Sequence, residues 1–238
     1  MERNCLSGSV KDILYSFITL IYPRSCCGCS GILVTGEEHL CGFCRVEMPR
    51  TDFFMYKENP LTRRFWGRVP IQTGSSLFHF QKGGKVQRVI HHFKYRGNIA
   101  LGVYLGRLLG LSLKKSDHYT GIDMIIPVPL HAAKERKRGF NQSEVICRGV
   151  SKTLMIPAFD NLIIRKEETS TQTRKERFRR WENVSDVFDT PDPQALENKN
   201  ILLVDDVITT GATLEACAQT LISVPGVKVW IATLAVTD

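Results

Sequence analysis

The sequence predicts an α/β protein with a doubly wound, mainly parallel sheet, preceded by a small cysteine-rich module. Three observations predict this architecture. From residue 75 onward, short apolar runs alternate with helix-like segments, which is the order of parallel strands and crossover helices. One run ends in a turn of small residues that opens a helix at Ala212, as happens at the carboxyl edge of such sheets. Five cysteines within residues 26–44 mark the module.

The N-terminal part is predicted to hold a short helix and then the cysteine module, together residues 1–50. Apolar residues recur at helical spacing on one face of this helix, and we interpret the stripe as packing; its members are Ile13, Leu14, Phe17, Ile18 and Ile21. Residues 51–74, with Pro60 and Pro70, are predicted to connect the module to the main domain at 75–238.

The main domain is predicted to alternate strands with helices along the chain. Strands are expected at residues 76–80, 123–128, 162–165, 200–204 and 228–236. Helices are expected at 85–93, 99–114, 141–154, 171–182 and 212–224, the fourth of them highly charged.

Composition narrows the class of protein and of partner. A chain of 238 residues, 43% of them hydrophobic, suits a globular protein. A formal charge of +8 favours phosphorylated metabolites, nucleic acid or an acidic membrane surface, against the alternative of a merely solvated basic surface. The apolar run at 13–22 follows Lys11 and Asp12, lacks an export cleavage site and is too short to span a bilayer. We therefore expect a cytoplasmic protein.

Two cysteine pairs have the spacing of a metal site. Cys26 and Cys29 form the first pair and Cys41 and Cys44 the second, with eleven residues between the pairs. Two such knuckles deliver four thiolates tetrahedrally to one zinc ion, and a closed site of this kind is structural. A redox pair or an iron–sulfur site is the competing interpretation. Cys27 leaves the first knuckle ambiguous.

The run at residues 201–213 carries the strongest functional signal. An apolar strand leads into Asp205 and Asp206, and then into a turn whose backbone N–H groups and hydroxyls suit a phosphate. Adjacent carboxylates repel phosphate, so we expect them to face hydroxyl groups or a metal. The turn consists of Thr209, Thr210, Gly211, Ala212 and Thr213.

This run resembles the phosphoribosyl pyrophosphate motif of type I phosphoribosyltransferases. The resemblance implies that Asp205 and Asp206 hold the ribose hydroxyls and that residues 209–213 hold the 5-phosphate. It also implies Mg²⁺ with the pyrophosphate, and the type I phosphoribosyltransferase fold.

Further segments extend the resemblance to the ComF family, over about Leu20 to Val236. They are the cysteine knuckles, Lys94-Tyr95-Arg96-Gly97, Arg138-Gly139-Phe140-Asn141-Gln142, and Gln172 with Arg180 and Asn183. Lys175 departs from the family, which tends to have an apolar residue there. The family implies a zinc-ribbon-like module and a role in natural transformation, with single-stranded DNA and DNA-uptake proteins as partners.

Two functions follow from the resemblance. The first is an enzyme that displaces pyrophosphate from C1 of the ribose, with Arg136, Arg138 and Arg180 neutralising the leaving group and Lys94 and Arg96 assisting. The sequence offers no evident general base for an acceptor. The second is a non-enzymatic phosphoribose-binding module that holds single-stranded DNA. A zinc-ribbon interaction protein with a degenerate ligand site is a third reading, and the intact Asp205–Asp206 pair argues against it.

Overall fold

The computed structural model describes residues 23–95, 97–166 and 187–237 of the chain. The chain divides into two compact units, residues 1–48 and 49–238. In the described part of the first unit, an isolated bridge joins Ser25 to Ile32 and a short helix, α1, spans Gly42–Glu47. Its N-cap is Cys41, whose sulfur accepts a hydrogen bond from the Cys44 N–H.

The second unit is built on a four-stranded parallel sheet. Its strands are β1 (Gly74–Phe80), β2 (Met124–Pro127), β5 (Asn200–Ile208) and β6 (Lys228–Thr237), in the order β1-β6-β5-β2. The helices are α2 (Pro60–Arg63), α3 (Lys85–Tyr95), α4 (Ile99–Leu113), α5 (Ala132–Arg138), α6 (Gln142–Leu154) and α7 (Ala212–Ile222). Single 3-10 turns lie at Phe53–Met55, Asp117–Tyr119 and Gln194–Leu196. The predicted mainly parallel α/β class is confirmed.

Two predicted strands differ from the structure. The strand expected at 162–165 is reduced to β3 (Ile164–Arg165), which pairs antiparallel with β4 (Phe188–Asp189) and stays outside the main sheet. Beside β2 the chain makes a single bridge, between Ile125 and Ala158, before it turns away. The strand expected at 200–204 continues to Ile208 because β6 pairs with it along that length.

The predicted connecting segment is part of the second unit. Phe53, Leu61, Phe65 and Val69 are buried in its hydrophobic core. Asn59 organises the segment, since its side chain caps α2 at the N–H groups of Leu61 and Thr62, both at 3.0 Å. The boundary between the units therefore falls after Met48, and residues 51–74 are built into the domain.

Helices α4 and α6 pack at glycines, which lets their backbones approach closely. A Cβ atom on Gly106 would lie 2.2 Å from the carbonyl oxygen of Ile146, and one on Gly149 would lie 2.2 Å from that of Val103. This contact fixes α6, whose first turn carries Ser143 to the end of β5.

Two predicted helices fall outside the described residues, the N-terminal one around Ile13 and the charged one at 171–182. Conversely, α5 was not predicted; His131 caps it through Nδ1 and Gly139, at φ +82°, ends it. Within the described ranges, no helix is both long enough and apolar enough to cross a bilayer.

Candidate functional site

The turn between β5 and α7 has a backbone that requires glycine. Gly211 is the N-cap of α7 and has φ +83°, a left-handed conformation that side chains rarely adopt. A Cβ there would also lie 3.4 Å from the ring of Phe65. Thr209 and Thr210 are exposed, and the Ala212 N–H is 3.4 Å from the Thr210 hydroxyl oxygen. The positive end of α7 thus opens onto an exposed, hydroxyl-rich turn.

The two carboxylates of β5 have different partners. Asp206 Oδ2 lies 2.7 Å from Lys94 Nζ, with both side chains largely buried. Asp205 Oδ1 accepts hydrogen bonds from the Ser143 hydroxyl at 3.0 Å and from the Asp206 N–H at 2.8 Å. Desolvation, and then the charge of Asp206, raise the pKa of Asp205 to about 7 although these hydrogen bonds oppose the shift. Burial and the neighbouring carboxylate therefore favour the protonated form of Asp205.

Of the five predicted cationic residues, one contacts the carboxylates, two lie at other positions and two lie outside the described residues. Lys94, near the end of α3, is the cation at Asp206. Arg138 donates to Gln142 Oε1 at 2.5 Å, and its guanidinium lies 5.7 Å from the centre of the Tyr95 ring. Arg136 is exposed on α5. Arg96 and Arg180 lie outside the described residues.

Sequence reasoning missed three residues that touch this site. Ser143 holds Asp205, while Arg64 and Arg68 donate to the carbonyl oxygens of Thr209 and Thr210. The spacing of apolar residues in the segment of the two arginines, together with the Asn59-Pro60 pair, is a helix-start signal. That signal identifies a packed element rather than a connection.

The four predicted metal ligands come together in the first unit. The sulfur atoms of Cys26, Cys29, Cys41 and Cys44 all lie within 4.8 Å of one another, and that of Cys27 is not in the cluster. The N–H groups of Gly28 and Cys41 point at Cys26 Sγ, at 3.4 and 3.3 Å. Burial opposes ionisation of Cys26, but these backbone donors outweigh it and lower its pKa to about 6. The cluster can hold a metal ion.

Comparison with known proteins finds a matching family model for part of the chain and several similar proteins. Residues 136–237 match the family model of the phosphoribosyl transferase domain. The chain is 32% identical to competence protein F of Haemophilus influenzae, over 60% of this chain and 65% of that protein. It is 31% identical to DNA utilization protein YhgH of Escherichia coli, over 60% and 64%. It is 25% identical to competence protein ComFC of Bacillus subtilis, over 92% and 87%. The match therefore spans less than two thirds of the first two relatives.

Proposed function

From the premise that the chain is a homologue of the ComF competence proteins with a phosphoribosyl transferase domain, as the sequence predicted, we propose that it binds phosphoribosyl pyrophosphate. Asp205 and Asp206 bind the ribose hydroxyls, and residues 209–213 bind the 5-phosphate. One observation carries the proposal: a partly buried carboxylate pair near the end of β5 is separated by two residues from an exposed turn whose glycine, Gly211, has φ +83°. Carboxylates accept from hydroxyl groups, and a turn that opens a helix receives phosphate.

Mg²⁺ fits the same carboxylates. Asp206 already bonds a cation, Lys94 Nζ at 2.7 Å, and Asp205 beside it is a second hard oxygen ligand of the type that Mg²⁺ prefers. Asp205 and Asp206 would hold the ion, which would supply positive charge to the pyrophosphate. We propose that Lys94 and the arginines Arg136, Arg138, Arg96 and Arg180 supply further positive charge toward the leaving group.

In the proposed reaction a nucleophile forms a bond to C1 of the ribose while the bond from C1 to the pyrophosphate oxygen breaks. The electron pair of the broken bond leaves with pyrophosphate, and the nucleophile loses its proton to solvent. Fixed positive charge beside the departing oxygens stabilises this transition state. The acceptor is a nucleophile of the ammonia or nucleobase class.

A second candidate function is a phosphoribose-binding module that holds single-stranded DNA without turnover. The formal charge of +8 favours it, as does the printed name of the Escherichia coli relative, a DNA utilization protein. Cationic surfaces bind nucleic acid by displacing counterions, so this binding is strongly salt-dependent.

Calorimetric titration of the full chain tests the ligand proposal. We expect phosphoribosyl pyrophosphate to bind in the presence of Mg²⁺, with weaker binding of ribose 5-phosphate and of pyrophosphate because each fills part of the site. Absence of heat with phosphoribosyl pyrophosphate and Mg²⁺ would refute the proposal. Pyrophosphate release with ammonia or a nucleobase favours the enzyme, whereas salt-sensitive binding of single-stranded DNA without release favours the module.

For the cysteine cluster we propose a structural zinc ion. A tetrahedral zinc site with Zn–S bonds of about 2.3 Å places its sulfurs about 3.8 Å apart, and Cys29 Sγ lies 3.7 Å from Cys41 Sγ. Four thiolates leave no open position for a substrate, which makes the site structural. None of the seven described cysteines forms a disulfide. Since thiols persist in a reducing compartment, we also propose a cytoplasmic location.

Replacing Glu37 with alanine is expected to weaken metal retention about tenfold, because groups that orient a metal site affect its affinity to that extent. The Glu37 carboxylate accepts from the N–H groups of Val34 at 3.0 Å and Gly42 at 2.6 Å, so it ties the loop between the knuckles to the start of α1. These two donors also lower the pKa of Glu37. The rate of zinc transfer to a chromogenic chelator measures the effect. Glu38→Ala, at an exposed neighbour, is the control, and equal rates for both variants would contradict the prediction.

A further inference from the structure

Two arginines outside the matched domain hold the phosphate turn by its carbonyl oxygens. Arg64 Nη1 donates to the Thr209 carbonyl at 2.6 Å, and its Nη2 donates to the carbonyl of Thr237 at the end of β6. Arg68 Nη1 donates to the Thr210 carbonyl at 3.2 Å. Two consecutive peptide groups of the turn are thus each bound from the same segment.

These bonds set the direction of the adjacent N–H groups. A trans peptide is planar, and its C=O and N–H point in opposite directions. The Thr209 carbonyl shares a peptide with the Thr210 N–H, and the Thr210 carbonyl shares one with the Gly211 N–H. Among the described residues, neither N–H has a hydrogen-bond partner. Holding the carbonyls on one side therefore presents both donors on the other.

Arg68 also neutralises a charge that would oppose phosphate. Glu215 lies in the first turn of α7 and its N–H donates to the Gly211 carbonyl at 2.8 Å, so its carboxylate belongs to the helix end that faces the turn. Arg68 Nη2 forms an ion pair with Glu215 Oε2. An unpaired carboxylate there would reduce the attraction of the helix N-terminus for an anion.

The segment that carries the arginines is anchored. Leu61 and Phe65 are fully buried and Val69 is 5% exposed, all in the core of the domain. Phe65 also lies against Gly211, 3.4 Å from the position of a Cβ atom there. The guanidinium groups therefore start from a backbone that is fixed relative to the turn.

We propose that Arg64 and Arg68 are positioning residues for the 5-phosphate. They orient the Thr210 and Gly211 N–H groups toward it by binding the opposite ends of the same peptides. This role rests on the proposed function, since it names the residues that orient the phosphate-binding N–H groups of the same site. It also extends that site to a segment N-terminal to the matched residues 136–237.

The test compares Arg64→Gln and Arg68→Gln with Arg63→Gln. Arg63→Gln removes the same charge from the same short segment. Arg63 is exposed, however, and its guanidinium lies over the Trp66 ring and not at the turn. We expect Arg64→Gln and Arg68→Gln to weaken ribose 5-phosphate binding about tenfold, the usual loss for a hydrogen bond to a charged group. Pyrophosphate with Mg²⁺, which does not use the turn, is expected to bind all three variants within about twofold of wild type. Arg64→Lys, which keeps the charge but not the two-pronged donor, is expected to recover part of the loss.

A second measurement does not depend on ligand. In backbone ¹⁵N–¹H spectra, Arg64→Gln is expected to move the Thr210 amide signal and Arg68→Gln that of Gly211, while Arg63→Gln moves neither. Equal ribose 5-phosphate affinity in all three glutamine variants, or unmoved Thr210 and Gly211 signals, would overturn the inference. Failure of wild type to bind either ribose 5-phosphate or phosphoribosyl pyrophosphate would instead refute the proposed function. If Arg64→Gln folds poorly, the result for Arg68→Gln decides whether the proposed role holds, because Arg68 is exposed.

Discussion

Replacing Cys44 with serine is expected to abolish stoichiometric zinc binding and to unfold the first unit. Serine stays protonated and neutral at pH 7, so only three thiolates remain for the ion. Apart from cysteines, the described residues of this unit bury only Leu33, Leu40 and Met48 as hydrophobic side chains, too few for a self-sufficient core. Structural zinc contributes about 10–16 kcal/mol of apparent binding free energy in small zinc-dependent folds, and that contribution would be lost.

Metal analysis by mass spectrometry and limited proteolysis measure these effects. We expect one zinc per chain in the wild type, less than one in Cys44→Ser, and rapid cleavage within residues 23–48 of the variant. Cys27→Ser is the matched control, because Cys27 is buried and adjacent to a ligand but lies outside the cluster. It is expected to keep its zinc. A metal-free wild type that resists proteolysis would contradict the structural role of the ion.

Replacing Asp205 or Asp206 with asparagine is expected to weaken the binding of phosphoribosyl pyrophosphate with Mg²⁺ by a factor of about a hundred or more. The two substitutions are also expected to change the free energy of unfolding, in opposite directions. Asp206→Asn leaves the largely buried Lys94 ammonium without its partner. Loss of one member of such a pair destabilises a protein by about 1–3 kcal/mol. The double variant Asp206→Asn with Lys94→Met is expected to recover part of that loss.

Asp205→Asn is expected to stabilise the ligand-free protein at pH 8 by an amount on the order of 4 kcal/mol. Asn Oδ1 can accept the same bonds from Ser143 and from the backbone, and the repulsion by Asp206 is removed. The pKa of Asp205 is raised from 3.8 to about 7, so the folded state favours the protonated form. The stability that Asp205 contributes is therefore complete below about pH 4 and is lost as the pH rises through about 7.

Urea unfolding at pH 4 and pH 8 separates the two carboxylates. The difference between Asp205→Asn and wild type should be small at pH 4 and reach its full size at pH 8. Asp189→Asn is the control, since its side chain is 55% exposed and lies 3.8 Å from Lys166. A pH-independent difference for Asp205→Asn would contradict the raised pKa.

Retained affinity for the ligand in both single variants would remove the carboxylates from the proposed site.

The local parts of both sites could be predicted because their chemistry is written in short stretches of chain. The two Cys-x-x-Cys pairs specify where four sulfurs meet, and the structure brings those sulfurs within 4.8 Å. The Asp205–Asp206 pair lies in the last part of β5 and the turn begins right after that strand, so a single pattern specifies their order. The four strands of the main sheet and the helices α3, α4, α6 and α7 followed from periodicity for the same reason.

Only the tertiary structure decided which side chains support those local parts. Ser143 is 62 residues from Asp205, and Arg64 is 145 residues from Thr209, so no periodicity connects them. The arginines lie in residues 51–74, which were predicted to be a linker because they contain prolines. Leu61 and Phe65 of this segment are buried, which makes it part of the domain. The sequence thus determined which residues carry the proposed ligand chemistry, because those residues are neighbours in the chain. The fold determined the charge state of Asp205 and the orientation of the turn, because burial and contacts between distant segments exist only once the core has formed.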